Sequence, residues 1–92
     1  MEIKSDETSI VEQWEFVNNK MISNEQGKRI EWLRKNYLTK IATDESGWLV
    51  IYQDPNDKRY WELSYPNGEM QGGGPKLLKV IPKEEAMSKY IF

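Results

Sequence analysis

The chain has 92 residues, with 13 Lys and Arg against 15 Asp and Glu and a formal net charge of −2. It contains no cysteine and no histidine, which excludes disulfides, thiolate chemistry and the residue that most often serves as metal ligand or general base. The length suits one domain, residues 1–92. Because there is no basic excess, nucleic acid is not expected as a direct partner.

The N-terminus is polar and acidic and predicts no targeting segment. The stretch MEIKSDETSIVEQW lacks a basic region followed by an apolar run. No apolar stretch of the chain approaches the roughly 20 residues that a membrane-spanning helix needs. We therefore expect a cytoplasmic protein with no membrane partner, in which residues 1–8 are frayed.

Alternating apolar side chains next predict a strand over residues 10–17, with Trp14 and Phe16 on one face. The Asn-Asn dipeptide at 18–19 tolerates the positive φ angles of a tight turn. We expect residues 20–22 to return as a short second strand.

A helix follows, capped by Ser23 or Asn24 and running to about Ile41, with Gln26 as a capping-box partner of Ser23. Its apolar stripe consists of Ile30, Leu33, Tyr37 and Ile41. At about 100° per residue, Trp32 falls nearly opposite that stripe. It is either covered by the N-terminal hairpin or the C-terminal segment, or it is an anchor that faces a partner.

A β-hairpin is predicted over residues 48–65, with a loop at 54–58. Pairing Asp54 with Arg59 sets its register. One face then consists of Trp48, Val50, Tyr52, Trp61, Leu63 and Tyr65, and we expect it to be the core face under the helix. The other face consists of Leu49, Ile51, Gln53, Tyr60, Glu62 and Ser64, and its polar end predicts a sheet with one wet side.

The remaining chain predicts a loop at 66–75, a strand at 77–81 and a short helix that starts at Pro82. Ala86, Met87 and Tyr90 are expected to dock this helix. The predicted fold class is α+β: an antiparallel sheet of about five strands, with one main helix packed across it and a short C-terminal helix.

Two patterns in the sequence could indicate a catalytic site, but neither matches a known catalytic motif. The glycines at 72–74 are followed by Pro75, Lys76 and a strand, without the Ser or Thr and the helix of a phosphate loop. They suit unusual φ angles or a close backbone approach. The carboxylates at 54, 57, 62 and 69 show neither the pairing of a hydrolase nor the spacing of a calcium loop. We expect no enzyme, no metal and no cofactor.

Acidic residues instead gather at loops and interleave with aromatic side chains, which favours a protein-binding module with a basic partner. Aromatic rings supply buried area, and charges steer the encounter. The alternative is a small ligand-binding protein or enzyme that uses Glu62 and the 72–74 glycine loop. A structural or scaffold protein is a third possibility.

Four stretches together resemble one known family. RIEWL on the helix, SGW at the start of a strand, DPNDKRYWELSYP and GGGPKL are similar to the immunity protein 27 family of bacterial polymorphic toxin systems, over roughly Trp14 to Tyr90. The resemblance implies a small cytoplasmic protein, not an enzyme, encoded beside a secreted toxin whose C-terminal domain it binds and blocks. Such toxins are often nucleases, and an acidic protein suits their basic clefts.

The residues that match the family pattern are Arg29, Trp48, Asp57, Arg59, Tyr60, Trp61, Glu62, Tyr65, Pro66, Gly72, Gly73, Gly74 and Pro75. The chain departs from that pattern in two places. Lys58 stands where a glycine is expected, and Gln71 stands where a histidine is common.

The expected partner contacts combine these two lines of reasoning. They are Asp54, Asp57, Tyr60, Glu62 and Glu69, with Trp32 as an outside candidate.

Overall fold

The computed structural model describes residues 3–66 and 74–91, which form seven strands and two helices. In chain order they are β1 (Ser9–Val11), β2 (Trp14–Val17), β3 (Lys20–Ser23), α1 (Glu25–Asn36), β4 (Thr39–Thr43), β5 (Val50–Gln53), β6 (Tyr60–Ser64), β7 (Leu77–Ile81) and α2 (Lys83–Lys89). Five strands make one sheet in the order β1-β7-β6-β5-β4, and β2 and β3 pair separately. All these pairs are antiparallel, which confirms the predicted α+β fold.

The β5–β6 hairpin has the predicted register. The backbone N–H of Asp54 donates to the carbonyl of Arg59 at 3.0 Å, and Tyr52 lies opposite Trp61. The core between the sheet and α1 follows from this register. Its buried members are Ile10, Ile30, Leu33, Leu38, Val50, Tyr52, Trp61, Leu63 and Leu78.

The other face of the sheet is not the wet face that the sequence predicted. Ile51, Ile81, Ala86 and Tyr90 form a second buried cluster there. The face is covered because α2 turns back onto it after Pro82. Ala86 and Tyr90 dock the helix as predicted, whereas Met87 is 57% exposed.

The main helix is shorter than predicted, and residues 39–43 form a strand instead of its last turn. The N–H groups of Tyr37 and Leu38 both donate to the carbonyl of Leu33, at 3.0 and 2.7 Å, and this closes the helix. The following TKIAT segment is rich in β-branched residues, which suit a strand that pairs along β5. Ile41 therefore packs with the second cluster.

The single strand predicted over residues 10–17 is divided in two. Glu12 still donates its N–H to the carbonyl of Lys76 at 3.0 Å, but Gln13 bonds to Asn24 instead. The chain thus leaves the sheet at Gln13 and enters the β2–β3 hairpin. Asn18 and Asn19 have φ angles of 51° and 63°, which confirms the predicted tight turn.

Asn24 is the N-cap of α1, since its side-chain oxygen accepts the N–H of Gly27 at 3.3 Å. Ser23 does not join Gln26 in a capping box. Its hydroxyl donates to the carboxylate of Glu12 at 2.5 Å.

Candidate partner-binding surfaces

The five-stranded sheet has two ends that differ in chemistry. At the end that we call the tip end, β5 and β7 finish and β6 begins, and the 54–59 loop joins β5 to β6. At the other end, β1 and β6 finish and β5 and β7 begin. We call it the hairpin end, because the β2–β3 hairpin leaves the sheet there at Gln13.

Asp54 organises the loop at the tip end. It is 2% exposed, and its Oδ1 accepts the N–H of Asn56 at 2.8 Å and the hydroxyl of Tyr37 at 2.7 Å. Charge-assisted bonds of this kind are stronger than neutral ones. The carboxylate therefore closes the loop and ties it to the end of α1, and it offers little surface to a partner.

Asp57 and Arg59 fix the other half of this loop. Asp57 accepts the backbone N–H of Arg59 at 3.0 Å and its Nε at 2.7 Å. Partial burial raises the pKa of Asp57, but these bonds outweigh it and lower the pKa overall. Lys58 lies between them with a φ of 68°. This left-handed conformation favours glycine, which is the residue that the family resemblance leads us to expect at this position. A residue with a side chain costs of order 1 kcal/mol in this conformation.

Two arginines bind the N-terminal segment across the tip end. Arg29 holds the carboxylate of Glu7 with both of its terminal nitrogens, at 2.7 and 2.5 Å. This hydrogen bonding lowers the pKa of Glu7 to about 2. Arg59 donates to the carbonyls of Glu7 and Lys4, at 2.5 and 3.2 Å, and its guanidinium lies 5.2 Å from the ring centre of Trp61. Both arginines thus stabilise the fold by binding the N-terminal segment.

Glu62 lies under α2 and is buried. Its Oε2 accepts the hydroxyl of Tyr90 at 2.8 Å and the ammonium of Lys89 at 3.1 Å. Burial and the neighbouring Glu62 raise the pKa of Tyr90. Glu62 therefore holds α2 on the sheet, which weighs against its use as the working group of an enzyme or ligand site.

The sequence-predicted contact residues do not form one surface. Asp54, Asp57 and Tyr60 lie at the tip end, and Tyr60 is half-buried beside the second cluster. Trp32 is 43% exposed on α1, on the opposite side of the sheet from Glu62. Glu69 lies outside the described residues, as do Gly72 and Gly73.

The hairpin end exposes apolar side chains. Phe16 is 68% exposed and Met21 is 52% exposed, and the two face each other across the hairpin. Val17 and Ile22 are exposed on its other face. The sequence carries only a partial signal for this surface. Apolar residues on both faces of a hairpin with four-residue strands cannot all be covered by one core, but this pattern does not say which of them are exposed.

A pair of aromatic rings lies at the same end of the sheet. Trp48 precedes β5 and Tyr65 follows β6, and their ring centres are 5.4 Å apart at an interplanar angle of 84°. Trp48 was expected in the core, but it is 54% exposed. It lies before Val50, the first paired residue of β5, and so outside the part of the hairpin that the core covers.

A buried carboxylate holds the root of the hairpin. Glu12 accepts the hydroxyl of Ser23 at 2.5 Å and the N–H of Lys76 at 2.8 Å. Burial raises the pKa of Glu12, but the bonds from Ser23 and Lys76 lower it overall. A Cβ on Gly27 would overlap both the Ser23 hydroxyl and the Glu12 carboxylate. This clasp, formed by Glu12, Ser23, Gly27 and Lys76, had no recognisable sequence pattern.

The described residues show neither a metal site nor a membrane-spanning helix. No group of three or more Asp or Glu side chains within residues 3–66 and 74–91 is arranged to hold a metal ion. In the same ranges neither helix has the length and apolar character needed to cross a membrane.

Comparison with known proteins identifies the family. The family model described as Immunity protein 27 matches residues 16–82, from Phe16 on the hairpin to Pro82 before α2. Neither the curated proteins nor the solved structures contain a match. The matched residues make up more than half of the chain, which confirms the resemblance read from the sequence. The chain therefore belongs to the immunity protein 27 family.

Proposed function

We propose that this immunity protein neutralises the C-terminal domain of a bacterial polymorphic toxin by binding it stoichiometrically, without catalysing a reaction. The exposed apolar surface at the hairpin end is the observation that carries the proposal. Phe16, Met21 and Trp48 are each more than half exposed. Membership of the immunity protein 27 family supports a toxin as the partner that would cover them.

The energetics favour this surface as the main contact. Full burial of a side chain such as Phe or Met contributes about 1.5–3 kcal/mol. A few such anchors commonly dominate the affinity of a protein interface. In addition, an isolated two-stranded hairpin is only marginally stable in water. A partner that packs on the β2–β3 hairpin would therefore also stabilise the pairing of its two strands.

Other parts of the proposal rest on the charge of the chain. The net charge of −2 suits a toxin with a basic cleft, such as a nuclease, because opposite charges speed and steer association. Trp32 and Asp57 are exposed and remain proposed contacts at the edges of the interface, together with Glu69. Tyr60 would contribute from its half-buried position. In this proposal the protein acts in the cytoplasm of the cell that makes the toxin.

Asp54 and Glu62, which the sequence predicts as contacts, have a supporting role in this proposal. Their carboxylates are bound to Tyr37 and to Tyr90, respectively. Their substitution would weaken binding by loosening the 54–59 loop or α2, and the free energy of unfolding would fall together with the affinity.

The test is co-expression with the toxin domain encoded next to the gene for this chain. We expect the cells to survive and an equimolar complex to co-purify, as measured by light scattering after size exclusion. The proposal fails if the toxin still kills and no complex is recovered. It also fails if the purified chain turns over a substrate and one neutralised carboxylate abolishes the turnover.

A further inference from the structure

A groove of about 520 Å³ lies at the tip end of the sheet. Its lining is mainly apolar, and we call the four lining residues Tyr60, Val80, Ile81 and Pro82 its carbon floor. Tyr60 and Ile81 are register partners across β6 and β7, so the two strands fix the shape of the floor. A volume of this size is typical of a ligand pocket and accommodates a few amino-acid side chains.

Two lysines line the groove, one from each side. Lys58 comes from the 54–59 loop, and Lys83 begins α2. Within residues 3–66 and 74–91, neither ammonium group takes part in an ion pair. Among the described residues that line the groove, none is Asp or Glu. The groove therefore has unmatched positive charge, although the whole chain is acidic.

The backbone holds both lysines in place. Lys58 has a left-handed conformation with a φ of 68°, and its N–H donates to the carbonyl of Asp54 at 2.9 Å. Lys83 follows Pro82, which is extended at the start of α2. The backbone around the groove is therefore ordered without a ligand, and only the exposed lysine side chains lose entropy on binding.

We propose that this groove binds an acidic peptide segment of a partner protein. One aliphatic or aromatic side chain of the segment lies on the carbon floor, and flanking carboxylates pair with Lys58 and Lys83. Charge complementarity and the apolar floor together select this occupant. The groove lies at the opposite end of the sheet from the apolar hairpin, so it is separate from the main toxin contact proposed above. Of the lining residues that the structure describes, Tyr60 is the one that the two proposals share.

A phosphate group fits the same residues less well. Phosphate sites gather N–H donors or the planar fork of an arginine. Arg59 also lines the groove, but its guanidinium already donates to Asp57 and to the carbonyls of Glu7 and Lys4. The two lysines are point charges without a fork geometry, and the carbon floor adds an apolar contact that an apolar side chain between carboxylates can use and a phosphate cannot.

The test uses the purified chain and a short synthetic peptide in which Glu and Asp alternate with Leu and Phe. Backbone amide chemical shifts report where the peptide binds. We expect shifts at Thr8, Tyr60 and Val80 and little change in the β2–β3 hairpin. Binding should weaken as the salt concentration is raised, because salt screens the lysine charges.

Reversing the charge of the groove lysines, and of two lysines outside the groove, provides a matched comparison. The Lys58→Glu and Lys83→Glu double variant should bind the peptide at least about tenfold more weakly. The Lys35→Glu and Lys40→Glu double variant has the same change in net charge on exposed residues outside the groove. It should stay within about threefold of the parent chain.

Four control ligands make the outcome decisive. A peptide with Lys in place of Glu and Asp should not bind, and one with Ser in place of Leu and Phe should bind more weakly. Equal binding of either peptide overturns the proposal. Inorganic phosphate or an oligothymidylate that shifts the same amides as strongly as the acidic peptide also overturns it, in favour of a phosphate site. Should the charge-reversed variant lose its native spectrum, the Lys58→Gln and Lys83→Gln variant decides, with the same weakening expected.

Discussion

The two ends of the sheet differ in the side chains that they leave exposed. At the tip end, the carboxylates of Asp54, Asp57 and Glu7 all accept bonds from within the chain. At the hairpin end, Phe16 and Met21 stand in solvent. The acidic residues that favoured partner binding in the sequence thus mainly stabilise the fold. The surface that is left to bind a partner is largely apolar.

The largest difference between the two ends is expected when the exposed apolar residues of the hairpin are replaced. The Phe16→Ser and Met21→Ser double variant should bind the toxin domain about 100-fold more weakly, which corresponds to about 3 kcal/mol. Its melting temperature should hardly change, because both side chains are already exposed. Isothermal titration calorimetry measures the affinity. Met87→Ser is the matched control, since Met87 is 57% exposed on α2. An equal loss for the control would remove the distinction between the two surfaces.

The clasp at the root of the hairpin should affect stability. Glu12→Ala leaves the Ser23 hydroxyl and the Lys76 N–H without their acceptor, which should lower the free energy of unfolding by about 2–3 kcal/mol. Gly27→Ala should also destabilise, although alanine favours a helix by about 1 kcal/mol. Urea unfolding measures both changes.

A double-mutant cycle separates the clasp from general helix effects. With Glu12→Ala already present, the added Cβ at position 27 loses one of the two groups that it would overlap. Gly27→Ala should then cost much less than in the parent chain. Strictly additive costs would show that Glu12 and Gly27 act independently.

The two exposed tryptophans define how far the interface extends. Trp48→Ala at the hairpin end should weaken toxin binding about tenfold, and Trp32→Ala on α1 about threefold. Trp48→Phe retains a ring against Tyr65 and serves as a control for local packing. If the Trp32 variant loses more affinity than the Trp48 variant, the interface is centred on α1 and not on the hairpin end.

The smallest expected effect is a pH dependence at the tip end. Because binding to Arg29 depresses the folded-state pKa of Glu7 from 4.5 to about 2, its contribution to stability is complete above the unfolded value. That contribution is lost as the pH falls from 4.5 toward 2. Relative to Glu7→Gln, the parent chain should be more stable by about 1 kcal/mol at neutral pH. The difference should vanish near pH 2, and a constant difference across this range would contradict the assignment.

The local features of the fold could be predicted because each depends on a few neighbouring residues. The Asn18-Asn19 turn needs positive φ angles, and alternation around the 54–58 loop specifies the β5–β6 register. The end of α1 could not be predicted. Ile41 continues the helical spacing of Ile30, Leu33 and Tyr37, and only pairing along β5 makes it part of a strand.

The candidate surfaces depend on tertiary contacts, which single residues do not reveal. Glu62 was expected on an open face because the sequence does not say that α2 folds back over it. Phe16 and Met21 have the same pattern as a covered hairpin, so their exposure is visible only in the structure. Glu12 and Gly27 lie far apart from Lys76 in sequence, and their contact follows from where β1 and β7 meet.

The most direct test of the apolar hairpin end as the binding surface is the rate of methionine oxidation in the complex. Met21 and Met87 are similarly exposed, at 52% and 57%, and peroxide converts exposed methionine to the sulfoxide. Mass spectrometry of the two peptides gives both rates with and without the bound toxin domain. We expect the toxin to slow the oxidation of Met21 severalfold and to leave Met87 unchanged. Unchanged oxidation of Met21 together with protection of Met87 would contradict the account.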